Sequence, residues 1–360
     1  MTQGLEGIVV ARTTISEVDG SAGRIVVRGR ELGDLVDHGF EAMCSLLWEQ
    51  SEPLVAAALQ AARQQPHPTP TGDVPIDVLR ASIASMPPES PPPAITGTMA
   101  VALASWAAAR RGDAPPVPHP GESHAAYLHR GLTGRTSRRE AHALDAYLAT
   151  VAEHGLNAST FTARVVASTQ ADDVCAVTAA IGALKGPLHG GAPGPVLDML
   201  DAVAEADDAR AWVDHELTAG RRIMGMGHRV YRVRDPRAAA LEGVVHRLDP
   251  TQICGRVALA REVERAAETA LAERHPTRPL LANVEFYTAV LLEALHIPRV
   301  AFSAVFACAR VAGWCAHTAE QRANGRMMRP RAQYVGTRCP GPRFHRLNDA
   351  SFTPEDSSRR

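Results

Sequence analysis

Four stretches of this sequence set a histidine, a carboxylate or an arginine in surroundings that suggest chemistry. The first, Leu184-Lys185-Gly186-Pro187-Leu188-His189-Gly190-Gly191, encloses one histidine between glycines and a proline. That composition predicts a sharp turn, which either holds the imidazole against a ligand without bulky neighbours or uses it structurally. The second, Gly225-Met226-Gly227-His228-Arg229-Val230-Tyr231, repeats the arrangement and runs into Asp235-Pro236-Arg237. Asp before Pro predicts a helix N-cap and first helical position, with Arg237 in the first turn. The glycines resemble a phosphate loop only weakly, because the Walker lysine and a preceding strand are missing, and an ordinary loop is the other reading.

The third stretch, Asn283-Val284-Glu285-Phe286-Tyr287, embeds a carboxylate among apolar residues. Facing a cleft, such a carboxylate is desolvated, its pKa rises, and it approaches the strength of a general base. On an outer helix face it is only a solvated charge. The fourth, Phe306-Ala307-Cys308-Ala309-Arg310-Val311-Ala312-Gly313-Trp314, places an arginine inside an apolar helix. A buried guanidinium requires an anionic partner, either a structural carboxylate or a bound ligand.

The elements that must position these residues are mainly helical. Leu144, Tyr147, Leu148 and Val151 fall at i, i+3, i+4 and i+7, an apolar stripe on a helix ending near His154. Similar patterns recur over Phe40 to Leu47, Val196 to Ala204, Val257 to Leu271 and Ala289 to Leu295, while Thr98 to Ala109 reads as a buried helix. β-branched runs at Ile8–Val10 and Ile25–Val27, separated by Asp19-Gly20 and Gly23, predict a small N-terminal hairpin. Proline-rich breaks at Gln65–Pro75, Met86–Pro93 and Asp113–Pro120 read as surface connectors. Thr337 to Arg360, rich in Pro, Ser, Asp and Arg, reads as a loose tail or an arm docked on a partner subunit. No repeat of fixed period is present. At 360 residues, a large domain with a smaller one is a better expectation than a single core.

Composition excludes several classes. A net charge of -1 lacks the electrostatic footprint of a general nucleic-acid binder. Positive charge is carried almost wholly by arginine, with Lys185 the single lysine, as genome composition would produce. Cys44, Cys175, Cys254, Cys308, Cys315 and Cys339 show no C-x-x-C pairing and read as free thiols of a reducing cytoplasm. Met1 to Gly7 has no basic segment leading into an apolar run, which speaks against a secretory signal. No stretch reads as the roughly 20 apolar residues of a membrane span.

Taken together, these segments resemble, in order and wording, those of the citrate synthase family over nearly the whole chain. Thr14-Ile15-Ser16-Glu17-Val18-Asp19-Gly20 resembles the family's opening hairpin, and Glu153-His154-Gly155-Leu156-Asn157-Ala158-Ser159-Thr160 the segment whose histidine contacts oxaloacetate. The segments of His189, His228 to Arg237 and Arg310 follow in family order, and Arg329-Pro330 closes the set. The resemblance implies an all-α, two-domain fold with a small N-terminal β-hairpin. Residues 1–189 and 295–360 would form the large domain, and 190–294 a small domain carrying the acyl-CoA site.

It also implies roles. His189 would stabilise the enol or enolate oxygen formed from acyl-CoA, Glu285 would abstract the α-proton, and His228 would polarise the oxaloacetate ketone and protonate the new alkoxide. His154, Arg237, Arg310 and Arg329 would hold oxaloacetate, with Arg329 supplied across a homodimer interface. Gly225, Met226 and Gly227 would meet the adenine of acyl-CoA, a co-substrate; no permanently bound cofactor or metal is implied. The expected reaction joins acetyl-CoA to oxaloacetate and hydrolyses the thioester to citrate and CoA. The alternatives are a 2-methylcitrate synthase using propionyl-CoA, and a weakly active homologue that binds acyl-CoA or oxaloacetate. A zinc hydrolase using His154, His189 and His228 lacks H-E-x-x-H or comparable ligand spacing.

Two positions depart from the family pattern. Val27 stands where tyrosine is usual, and Glu285 where aspartate is most frequent. The extra methylene of Glu285 displaces its carboxylate by roughly 1 Å, a shift that costs on the order of 100-fold in rate unless the backbone compensates. The matching neighbours Asn283, Val284, Phe286 and Tyr287 favour compensation.

Overall fold

A computed structural model describes residues 5, 7–67, 71–190, 193–248 and 250–336. Residues 1–327 form one compact unit. The described residues 328–336 belong to a second unit, without helix or strand, in which Arg329, Tyr334 and Val335 are exposed. The Thr337–Arg360 tail lies outside the described residues.

The chain opens on a three-stranded antiparallel sheet, β1 (Ser16–Asp19), β2 (Arg24–Val27) and β3 (Arg30–Glu31), with Ser16 opposite Val27 and Asp19 opposite Arg24. Asp19 closes its turn by accepting from the amides of Ser21 and Ala22 through one carboxylate oxygen, each at 2.9 Å. Ile25 and Val27 point into the core. The expected strand at Ile8–Val10 does not form, and Ile8 and Val9 are exposed. Their β-branched side chains lose to Ser16–Asp19, whose last residue builds the turn and so brings its own strand into register with β2.

The regular elements that follow among the described residues are helices: α1 (Leu32–Leu35), α2 (Phe40–Trp48), α3 (Glu52–Gln64), α4 (Pro75–Ala84), α5 (Pro92–Arg111), α6 (His124–Thr133), α7 (Arg138–Val151) and α8 (Ala158–Ala167). They are followed by α9 (Asp173–Leu184), α10 (Pro193–Ala206), α11 (Ala209–Thr218), α12 (Pro236–Arg247), α13 (Pro250–Arg274), α14 (Val284–Ala294) and α15 (Phe302–Asn324). The three proline-rich breaks separate α3 from α4, α4 from α5 and α5 from α6, and the first two end by donating Pro75 and Pro92 to the start of the next helix. Cys44, Cys175, Cys308 and Cys315 are free thiols; the side chains of Cys254 and Cys339 lie outside the described residues.

The core is organised around α15, which packs on α2, α4, α5, α7, α8 and α9. A helix that touches neighbours on every side must be apolar on every side, and almost all of Phe302 to Thr318 is buried. The stretch Arg299–Asn324 is in fact long and apolar enough to cross a membrane by length and composition, contrary to the sequence expectation. Within it, 89% of the most apolar window is buried inside the protein, the condition of a core helix. Arg310 and His317 punctuate the run and hide its length from a reading that looks for unbroken apolar residues.

Where α15 passes the end of α7 there is no room for a side chain. A Cβ added at Gly313 would stand 2.5 Å from the carbonyl oxygen of Ala152 and press on the Glu153 carboxylate. Gly313→Ala is therefore expected to destabilise the protein by about 1–3 kcal/mol through overpacking, read as a lowered denaturation midpoint at unchanged m-value. A midpoint equal to wild type would show that the two segments separate at no cost.

Candidate active site

Six places in the chain carry the candidate residues. The turn between α9 and α10 carries His189, the loop after α7 carries His154, the segment before α12 carries His228 and Tyr231, the first turns of α12 and α14 carry Arg237 and Glu285, and α15 carries Arg310. These groups shift one another's ionisation: Arg310 acts on His189, His154 and Glu285, and Arg237 acts on His228, His154, Glu285 and Arg310. The sequence-expected catalytic set and three of its four oxaloacetate-holding residues therefore share one electrostatic neighbourhood. Arg329, in the second unit, is exposed.

His189 sits in the turn expected for it, closed by Gly190 N–H donating to the Leu184 carbonyl at 2.9 Å. Its Nε2 lies 2.8 Å from the Ser159 hydroxyl and accepts from the Ser159 amide at 3.3 Å. Ser159 is itself held by Trp314, whose indole N–H donates to the hydroxyl at 3.2 Å, and by the Asn157 side chain at 2.8 Å. An Nε2 that accepts leaves the proton on Nδ1, so the ring presents an N–H donor on its other edge. Burial, and then the Arg310 charge, push its pKa down to about 4. The ring is neutral at neutral pH.

His228 is arranged the opposite way round. Its Nδ1 accepts from the amides of Val230 at 3.0 Å and Tyr231 at 3.3 Å, which leaves Nε2 as the donor. Burial, then Arg237, lower its pKa to about 4 as well. His154 is buried, its Nε2 2.8 Å from the Tyr231 hydroxyl and its ring packed edge-on against His228 with centroids 5.6 Å apart. Burial and the two arginines hold its pKa well below the usual imidazole value.

Asp235 caps α12 from a position followed by Pro236, as expected, but it does more. Its two oxygens grip Arg237 at 3.0 and 2.7 Å, and Oδ2 also accepts from the Val284 amide at 3.1 Å, joining the starts of α12 and α14. Asn283 caps α14 by accepting from the Glu285 amide at 2.9 Å and donates to the Gly227 carbonyl at 2.8 Å. The Gly225–Gly227 loop is thereby fastened to the segment that carries Glu285, with Met226 bridged to Ala282 and the Asn283 amide donating to Gly225. Gly225 and Gly227 have φ of +75° and +82°, and a Cβ at Gly225 would come within 3.0 Å of Phe286, so both positions need glycine.

Glu285 keeps some exposed surface, yet desolvation of its carboxyl dominates and raises its pKa to about 7, against the opposing pull of Arg237 and Arg310. That is the range a general base needs. Arg310 is almost wholly buried; its Nε donates to the Val151 carbonyl at 2.7 Å, and its Nη2 has no protein partner. Burial pulls even this guanidinium down to about 10, with Glu153 the foremost opposing influence.

Sequence reading missed the supporting residues Tyr231, Ser159, Asp235 as a double clamp, and Asn283 as a tether. Asp235 was legible as a cap, and its grip on a residue two positions on is a local signal. The contacts of Ser159 and Tyr231 span 30 and 77 residues and leave no local trace. Among the described residues no three His, Cys, Asp or Glu side chains are grouped as metal ligands. Two cavities, of about 440 and 450 Å³, lie elsewhere, one beside Arg28 and Glu49 and one beside Arg130 and His142.

Residues 4–331 match the family model "Citrate synthase, C-terminal domain". A Mycobacterium tuberculosis protein provisionally named citrate synthase 2 is 41% identical, over 94% of this chain and 93% of its own. The citrate synthase of Acidithiobacillus ferridurans is 35% identical, over 92% and 95%. Among solved structures, a ternary complex of the Thermoplasma acidophilum citrate synthase with carboxymethyl-coenzyme A and oxaloacetate superposes with a TM-score of 0.85 at 24% identity, covering 95% of this chain and 98% of that one, a likeness of all-α fold. With a family model spanning nearly its whole length and relatives above 30% identity, the chain belongs to the citrate synthase family and is an enzyme of that type.

Proposed function

We propose that the protein condenses acetyl-CoA with oxaloacetate and hydrolyses the thioester, releasing citrate and CoA. The observation that carries this reading is the Arg310 guanidinium, buried with one nitrogen unpaired, in the same neighbourhood as a second buried arginine, three neutral histidines and a carboxyl poised near neutrality. Two buried guanidinium groups suit a dicarboxylate, to which each offers paired hydrogen bonds. That the Thermoplasma relative binds oxaloacetate and a coenzyme A analogue supports the same substrates here.

Glu285, ionised, takes the α-proton of the acyl-CoA. The Nδ1–H of His189 donates to the enolate oxygen that forms, without surrendering a charge it does not carry. The enolate carbon attacks the keto carbon of oxaloacetate, and the Nε2–H of His228 polarises the ketone and supplies the proton to the developing alkoxide. Water then cleaves the thioester. His154, Arg237 and Arg310 hold oxaloacetate, and Arg329 of a second copy completes the set in a homodimer. Gly225, Met226 and Gly227 take the adenine. In this reading residues 1–189 with 295–360 form the large domain and 190–294 the small one, and the free thiols support a cytoplasmic setting. Propionyl-CoA in place of acetyl-CoA adds one methylene, worth only about 1–3 kcal/mol in an apolar pocket, so turnover with both acyl-CoAs decides the preferred chain. Glu285 in place of aspartate is what favours the other alternative, a binding protein of weak turnover.

Release of CoA from acetyl-CoA, dependent on oxaloacetate, is the direct test; tight binding of both compounds with no release would mark a binding protein instead. His189→Ala and His228→Ala should each lower kcat by about 100- to 1,000-fold, the usual cost of removing an oxyanion donor, with circular dichroism unchanged. Wild-type rates in either would remove it from the mechanism. Glu285→Asp should lower kcat on the order of 100-fold if the backbone is set for the longer side chain, whereas a faster variant would mean that the natural residue is a handicap. Because a base works only when deprotonated and Glu285 titrates near 7, kcat/KM should rise with pH through about 7 and level off above it. A flat profile between pH 5 and 9, pH values chosen to bracket that midpoint, would assign the proton abstraction to another group.

A further inference from the structure

Behind His154 lies a buried polar chain that the proposed reaction does not use. The Glu153 side chain is almost fully buried, and its Oε1 accepts from the Ser16 hydroxyl at 2.7 Å, the Gly155 amide at 2.6 Å and His317 Nε2 at 3.1 Å. His317 is fully buried, and its Nδ1 lies 2.9 Å from Arg164 Nη1. Arg164, also buried, pairs with Glu320 at 2.6 Å and donates from Nε to Gln321 at 3.0 Å. Glu320 in turn accepts from the Thr14 amide at 2.7 Å.

The order of donors is forced. A guanidinium only donates, so His317 Nδ1 must accept and its proton must sit on Nε2, aimed at Glu153. Glu153 folds back on the amide two residues ahead, and its Oε1 therefore shapes the backbone on both sides of His154; Gly155, with φ of +57°, completes the bend. Burial alone would raise the Glu153 carboxyl, but its contacts with His317 and the nearby Arg310 charge more than offset this and hold it below the usual range. It stays ionised, and among the charges around Arg310 it is the one that most opposes the effect of burial on that guanidinium.

We propose that His317, held as the Nε2–H tautomer by Arg164, is a positioning residue that fixes Glu153 and through it the His154 loop, and so sets the affinity for oxaloacetate. This rests on the assignment of His154 to oxaloacetate made above. The chain reaches from the N-terminal strand β1 through α8 and α15 to the loop after α7, four elements distant in sequence. Its effect should therefore be confined to the oxaloacetate side of the reaction, whereas a network serving only the core would lower stability and leave both substrates alike.

The test compares His317→Ala, His317→Gln and Ser16→Ala with wild type in two measurements: separate KM values for oxaloacetate and acetyl-CoA, and hydrogen exchange of the Gly155 amide. Loss of a hydrogen bond to a buried charge predicts a rise of about 10-fold or more in the oxaloacetate KM of His317→Ala, with the acetyl-CoA KM within about 2-fold of wild type and faster exchange at Gly155. Glutamine can accept from Arg164 and donate to Glu153, so His317→Gln should restore most of both. Ser16→Ala removes another donor to the same oxygen from the half-buried start of strand β1, outside α15, and keeps the test open should His317→Ala not fold. An unchanged oxaloacetate KM and unchanged Gly155 exchange, or an equal rise for both substrates, overturns the proposal. If the wild type shows no condensation, the proposed function fails, while Gly155 exchange still decides whether His317 positions the loop.

Discussion

The structure turns on one arginine placed where a charge is expensive. Arg310 lies in α15, the helix on which α2, α4, α5, α7, α8 and α9 pack, and its Nε finds a backbone acceptor in Val151. Removing a guanidinium from water without full pairing costs several kcal/mol, so the surroundings must either neutralise it or leave it waiting for an anion. They do some of each. Glu153 stands nearby as an ionised carboxylate, while Nη2 is left without a protein partner. The same positive field explains much of what surrounds it, because it helps keep His189 and His154 neutral and moderates the rise of Glu285.

Neutral histidines are the natural consequence. A protonated ring beside two arginines would add to their repulsion, and a buried ring pays for ionisation in desolvation too, so both effects act in the same direction. What is left to specify is the tautomer, and the backbone does that. The Ser159 amide takes the Nε2 of His189, and the Val230 and Tyr231 amides take the Nδ1 of His228. Each ring is left with a single N–H donor, on opposite nitrogens in the two cases, without any side-chain carboxylate to hold it.

The parts of this arrangement that were legible in the sequence obey short-range rules. Asp235-Pro236 announced a helix start and located Arg237, the glycines around His189 announced a turn, and the apolar company of Glu285 announced a desolvated carboxyl. Family resemblance supplied the assembly of these pieces. The parts that stayed hidden are joined across long separations: His317 is 164 residues from Glu153, and Arg164 is 157 from Gln321. Arg164, His317 and Gln321, read alone, are polar side chains at unremarkable helical positions, and Glu153 is a polar residue of a loop. The N-terminal strand was misplaced for a related reason, since the apolar run at Ile8–Val10 has the stronger strand composition, but pairing is decided by the residue able to build the turn.

The tether made by Asn283 has a consequence for how such an enzyme can change. One side chain caps the helix that begins with Val284 and also holds the carbonyl of Gly227. A substitution that reshapes the glycine loop therefore shifts Glu285 as well, and the two features cannot drift apart under selection. Variants with altered loops will be viable only as paired changes, so a lineage that remodels Gly225–Gly227 must readjust the start of α14 in the same step.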